Sequence, residues 1–156
     1  QLCIRDSNSS WRLKRTYDFG KSTIDNSIKY QRQNQNDDIL NLPQFISRNT
    51  LYFKERIFKN TLSIQTGINF KIFSKYYANE YNPLISAFHV QKLKKIGGFP
   101  LFDFFFNAKI RQTKIFIIAE HINSSISGNS FYSTPESIYR DFGVRFGFKW
   151  NLFNWR

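Results

Sequence analysis

Glu120, His121 and Ser124 are the side chains of this 156-residue chain whose types and spacing come nearest to catalysis: a base close to a hydroxyl, with a carboxylate beside it. A serine nucleophile needs its base within hydrogen-bond reach and a group that orients that base. Nothing in the sequence supplies an oxyanion hole, so these residues read as the top of a strand, and neither a catalytic residue nor an enzyme is expected. His89 and His121 are the only histidines, too few and too far apart to define a metal site. The single cysteine, Cys3, excludes an internal disulfide and any CxxC motif. The glycines of GVRFG, from Gly143, sit in an alternating stretch rather than a phosphate loop; there, glycine lets a neighbouring side chain pack close. No cofactor is expected.

The charged residues offer a different chemistry, because they fall at every second position of stretches that are otherwise apolar. From Leu62 the even positions read Leu62, Ile64, Thr66, Ile68, Phe70 and Ile72, with Lys71 among the odd ones. From Phe102 they read Phe102, Phe104, Phe106, Ala108 and Ile110, against Asp103, Phe105, Asn107 and Lys109. The C-terminal stretch DFGVRFGFKWNLFNW sets Phe142, Val144, Phe146, Phe148, Trp150 and Leu152 against Arg145 and Lys149. Period-2 alternation makes these strands with one apolar and one polar face. Weaker candidates are residues 11–19, 23–33, 49–58 and 114–123, the last apolar on both faces, and helical periodicity is not convincing anywhere. Lys71, Lys109, Arg145 and Lys149, opposed by Asp103 and Asp141, are therefore either a cationic pore lining or a solvated wall without selectivity.

The bulk composition fits this pattern. Lysine and arginine number 23 against 11 aspartate and glutamate, a net charge of +12, and 19% of the residues are aromatic. Such a charge suits nucleic acid or an anionic membrane surface, although a chain rich in Lys, Asn and Ile also owes part of it to AT-rich coding. No apolar run approaches the roughly 18 residues of a membrane helix. A signal peptide is not evident and the chain starts at Gln1, so any leader has been removed or lies outside this segment.

Alternating segments of about ten residues match transmembrane β-strands better than the shorter strands of a soluble sandwich. Outer-membrane barrels alternate short periplasmic turns with long outer loops, and their last strand ends in the periplasm. Counting back from the C-terminus makes 123–139, 74–100 and 34–47 outer loops and the links at 112–113, 58–60 and 20–22 periplasmic turns. Residues 84–94 then form a rib within the outer loop rather than a crossing. The expected fold is an all-β, antiparallel up-and-down transmembrane β-barrel with seven or eight strands, the C-terminal portion of a larger barrel. Its parts are a hairpin over 11–33, a second over 47–73, the loop 74–100, a third hairpin over 101–123 and a closing strand over 140–155, with residues 1–5 as a candidate eighth strand. Tyr76, Tyr77, Tyr81, Tyr132, Tyr139 and Trp155, near strand ends, form either interfacial girdles or loop packing.

Several stretches resemble the putative porin family of Bacteroidota outer membranes: SRNTLYF from Ser47, LSIQTGINFKIFSKYYANEYNP from Leu62, IGGFPLFDFFFNAKI from Ile96, EHIN from Glu120 and YRDFGVRFGFKWNLF from Tyr139. The resemblance implies an outer-membrane β-barrel that passes small solutes and is assembled with its C-terminal strand as the recognition signal. Family members are several times longer, and this chain runs past Phe153 to Arg156.

The leading expectation is a porin, or part of one, in the outer membrane of a Gram-negative bacterium, passing small polar solutes with a preference for anions. Its partners are outer-membrane lipid, the β-barrel assembly machinery and the solutes themselves; a homo-oligomer is compatible with it. A non-conducting structural or surface-attachment barrel is one alternative. A soluble basic β-protein binding nucleic acid is another; but the aromatics lie opposite the charges on the clean strands rather than among them, so no nucleic acid is expected.

Overall fold

The computed structural model describes residues 7–35, 41–59, 61–127 and 131–151. Its strands in chain order are β1 (Ser7–Phe19), β2 (Ser22–Asn34), β3 (Phe45–Ile57) and β4 (Leu62–Phe73), then the short β5 (Tyr76–Tyr77), β6 (Glu80–Asn82), β7 (Ala87–His89) and β8 (Lys95–Ile96). The long β9 (Leu101–Ile110) and β10 (Thr113–Glu120) follow, then the one-turn helix α1 (Ser124–Ser127) and β11 (Gly143–Trp150). Among the described residues, β1, β2, β3, β4, β9, β10 and β11 form one sheet in that order, each antiparallel to its neighbours.

Short turns close one edge of this meander and long connections the other. Gly20, at φ 66°, turns β1 into β2 in two residues, and Thr23 Oγ1 donates to Asp18 Oδ1 at 2.7 Å across the same hairpin end. Arg111 turns β9 into β10 from a φ of 51°, in the left-handed region that favours glycine.

Among the described residues the sheet is antiparallel as expected but open, not closed into a barrel: β1 and β11 are its edges and do not pair. The reason is parity. In an up-and-down meander of seven strands the first and last run in the same direction, so no antiparallel ladder can form between them. The N-terminal stretch 1–5, weighed above as an eighth strand, lies outside the described residues, as do Leu152, Phe153 and Trp155.

Register assigns the faces. Starting from Leu62, Ile64, Ile68, Phe70 and Ile72 on β4, the pairing with β9 brings Phe102, Phe104, Phe106, Ala108 and Ile110 to the same side. Pairing onward adds Ile115 and Ile117 of β10, then Val144, Phe146, Phe148 and Trp150 of β11. Phe142 precedes β11 and is exposed. In the other direction the same face carries Leu51 and Phe53 of β3, Ile24 and Ile28 of β2, and Trp11, Leu13, Tyr17 and Phe19 of β1. It is less clean there, since Ser47, Asn49, Asn26 and Arg15 share it. Among the described residues no second layer covers this face: Phe146 is 82% exposed and Trp11 78%.

The buried apolar residues gather instead at the edge with the long connections. Phe99, 2% exposed, stacks on Phe131 with ring centroids 4.2 Å apart and meets Phe73 and Tyr139 edge-on at 5.9 and 5.6 Å. Gly97 and Gly98, both at positive φ, bring the chain close beneath it; a Cβ on Gly97 would stand 2.7 Å from the Phe73 ring. The stretch 84–94 is not one strand. A turn at 83–86 leads into β7, which pairs with β6, and the Gln91 amide donates to the carbonyls of Ala78 and Lys94 at 2.7 and 2.8 Å. Held this way, the segment stays within the connection and does not join the seven-stranded sheet.

Candidate functional site

The opposite face of the sheet carries the charges, and register sorts them into rows. Thr16, Asp25, Thr50, Asn69 and Asp103 are successive cross-strand partners in a row that runs from beside the Gly20 turn to the long-connection end of β9. Thr16 donates to Asp25 at 2.6 Å and Thr50 to Asn69 at 2.8 Å. Asp103, 7% exposed, accepts from Lys71 Nζ at 2.6 Å and from the His121 backbone N–H at 3.1 Å. Glu120 of β10, which shares the face, takes both Arg145 and Arg140, the latter at 3.2 Å.

Among the expected pore-lining residues, Lys71 and Arg145 are thus neutralised locally. Asp103 supplies one counter-charge; the other comes from Glu120 rather than Asp141, which lies outside the strands.

Lys109 and Lys149 belong to a different row. Arg56, Ser63, Lys109, Lys114 and Lys149 are successive partners on β3, β4, β9, β10 and β11, each one residue in from the short-turn edge. Adjacent strands lie about 4.8 Å apart, so four cations occupy roughly 19 Å of this edge. Like charges placed directly opposite across strands are destabilising. The structure records no anionic partner for any of the four among the described residues; the nearest acid on β9, Asp103, lies six residues away, about 20 Å along the strand. Arg56 and Lys114 escaped the sequence reading. Their signal was register, which single-strand alternation does not contain.

Aromatic rings fill parts of this polar face. Phe116 lies over Gly147, its strand partner, where a Cβ would stand 2.6 Å from the ring, whereas at Gly67 it is the neighbouring strand's backbone, the Leu51 carbonyl and the Tyr52 Cα and Cβ, that a Cβ would meet. Gly147 therefore admits a close-packed neighbour, whereas around Gly143 nothing lies within 4 Å. Lys54 reaches Tyr52 both through its hydroxyl, at 3.2 Å, and over its ring, at 4.5 Å.

The Glu120–His121–Ser124 reading fails on geometry. His121 is 2% exposed, its Nδ1 lies 2.9 Å from the Arg140 carbonyl, and its ring packs edge-on against Tyr139. The ring is oriented by a carbonyl rather than by Glu120, whose carboxylate is committed to two arginines. Tyr139 and Tyr76 both lie in the packed connections, and burial raises their hydroxyl pKa values above the usual range, with Asp103 adding to the effect on Tyr139. Tyr76 meets Phe73, Tyr77 and Tyr132 lie under Lys95 and Lys94, and Tyr81 meets Phe88. These tyrosines make loop packing.

The family model described as putative porin matches residues 7–154. Comparison with curated proteins and with solved structures returned no match. The match spans all seven long strands and both faces, so the chain belongs to the putative porin family, a kind generally non-enzymatic whose membership implies the outer membrane.

Proposed function

We propose that the seven-stranded sheet is a section of the wall of an outer-membrane β-barrel, through which small polar solutes diffuse passively with anions favoured. The observation that carries this reading is the bare apolar face: the large apolar side chains of β4, β9 and β11 are brought to it by register and nothing packs over them. Leu62 to Ile72 spans about 34 Å along β4, or about 26 Å at a 40° tilt, close to the roughly 25 Å apolar band of such barrels. Lipid would lie against Leu62, Ile64, Ile68, Phe70, Ile72 and their counterparts on β9 and β11; Lys71, Asp103, Lys109, Arg145 and Lys149 would face the lumen.

The free edge of β11 offers unpaired backbone groups to the assembly machinery, and further strands would close the barrel. A homo-oligomer would shield Arg15, Asn26 and Asn49, which interrupt the apolar face on β1 to β3.

Fractionation with the outer membrane of a Gram-negative host, heat-modifiable gel migration and stepwise conductance in planar bilayers are the expected results. Full solubility without detergent would sink the proposal. The second reading, a folded barrel that does not conduct, is favoured by the Phe99 cluster at the long-connection end, and the absence of conductance from an inserted barrel would select it.

A further inference from the structure

We infer that the short-turn end of the polar face is a binding site for small, multiply charged anions of the phosphate type, built by Arg56, Lys109, Lys114 and Lys149 around Ser63, with Arg111 at its rim. The inference rests on the reading that the polar face lines a lumen, and it adds a place and a ligand class to that reading.

Three observations converge on it. Lys109, Lys114 and Lys149 are direct cross-strand partners, so the repulsion between them is fixed by backbone register and rotation of the side chains relieves only part of it, while Arg56 stands two strands from Lys109, across Ser63. No carboxylate answers them among the described residues, although the same strands supply Asp103 and Glu120 near their other ends, where each is already engaged. Two adjoining hollows then provide room. One of about 320 Å³ is lined by Arg56, Ser63, Lys109 and Arg111, and one of about 480 Å³ by Lys109, Lys114 and Lys149 together with the apolar Phe116 and Ile118, with Ser63 at their junction.

The chemistry of the row selects the ligand. Three lysines on adjacent strands spread over about 10 Å. A chloride engages one or two of them, whereas an anion with two charged groups bridges the row. Arg56 adds a planar fork that matches two oxygens of a phosphate, and the Ser63 hydroxyl adds a neutral donor. Arg111 holds its guanidinium at the same edge from a left-handed backbone position where a glycine would be cheaper. A volume of a few hundred Å³ admits pyrophosphate or a small phosphate ester and excludes a polymer.

The test uses the full chain folded in detergent, with pyrophosphate as the probe, followed by phosphorus NMR line width and equilibrium dialysis. Binding is expected, weakening as salt rises. The triple variant Lys109→Gln, Lys114→Gln, Lys149→Gln should weaken it about tenfold or more, since charge-assisted contacts are lost. Arg12→Gln, Lys14→Gln, Lys29→Gln removes three charges from the same face far from the row and should change binding by less than about twofold. Equal losses in the two variants would show diffuse charge rather than a site and overturn the inference, as would no binding to the unmodified protein. Planar-bilayer current on the same samples separates the two proposals. Conduction without pyrophosphate binding removes this site and leaves the channel; site-specific binding without conduction keeps the site and removes the channel.

Discussion

The two ends of the polar face are built from the same strands and by the same alternation, yet they handle charge in opposite ways. At the long-connection end the acids of β9 and β10 are engaged: Asp103 holds Lys71 and the His121 amide, and Glu120 holds two arginines, beside a cluster of rings around Phe99. At the short-turn end four cations stand in a row with no acid among them. Pairing and ring packing make the first end a structural element. The second end forgoes stability that alternating signs would have provided, and its charge is left without a counter-charge among the described residues. A net charge of +12 says nothing about this division; it depends on which rows the charges fall in.

Substitutions at each end can break or sharpen this contrast. The largest effect is expected from Phe99→Ala, which removes the ring that joins Phe73, Phe131 and Tyr139 and should cost about 3–5 kcal/mol. Guanidinium unfolding in detergent would read it, together with new trypsin cleavage at Lys94 or Lys95; an unchanged midpoint would mean that this end is not structural. Asp103→Ala should cost about 2 kcal/mol, because a backbone N–H loses its acceptor and Lys71 its partner. It should also move the reversal potential toward anions, and a move toward cations would contradict the assignment of Lys71.

Alkaline pH acts on the same end with a smaller effect. Tyr139 and Tyr76 keep their protons to higher pH in the folded protein than in the unfolded chain. Above about pH 10, where unfolded tyrosine ionises, unfolding releases protons and stability falls as pH rises. Tyr139→Phe should flatten that slope in a series of unfolding curves between pH 9 and 11. The smallest effect belongs to the other end: Lys114→Gln removes the middle cation and should raise stability by about 0.5 kcal/mol. A loss of stability there would show that the row is held by a contact not yet identified.

Much of the fold could be read directly from the sequence where alternation is strict. β4, β9 and β11 carry uninterrupted apolar sets, and they stood out for that reason. β1 to β3 were fainter because Arg15, Asn26, Ser47, Asn49 and Glu55 fall on the apolar face and dilute its period. The site was only partly readable, since its unit is a row across strands and a row exists only once register is fixed. Lys114 was hidden because Phe116 and Ile118 make both faces of β10 apolar, which a ring seated over Gly147 explains. Arg145 was set against Asp103 and Asp141 because its actual partner, Glu120, stands on the neighbouring strand, a pairing that only register shows. The tyrosines near strand ends were ambiguous in one dimension, and their ring contacts with Phe73, Phe88 and Phe99 decide for loop packing.

The uncovered apolar face gives this protein an unusual dependence on its surroundings. With no second layer among the described residues to shield it, a barrel wall as proposed would draw much of its burial from acyl chains, and its unfolding free energy would belong jointly to the chain and the host lipid. An apolar height of about 26 Å along β4 favours a thin bilayer, and each ångström of excess thickness costs a fraction of a kcal/mol. On that proposal lipid chain length would be a thermodynamic variable for this molecule in the same sense as temperature, and a stability measured in one bilayer would transfer to another only after correction for thickness.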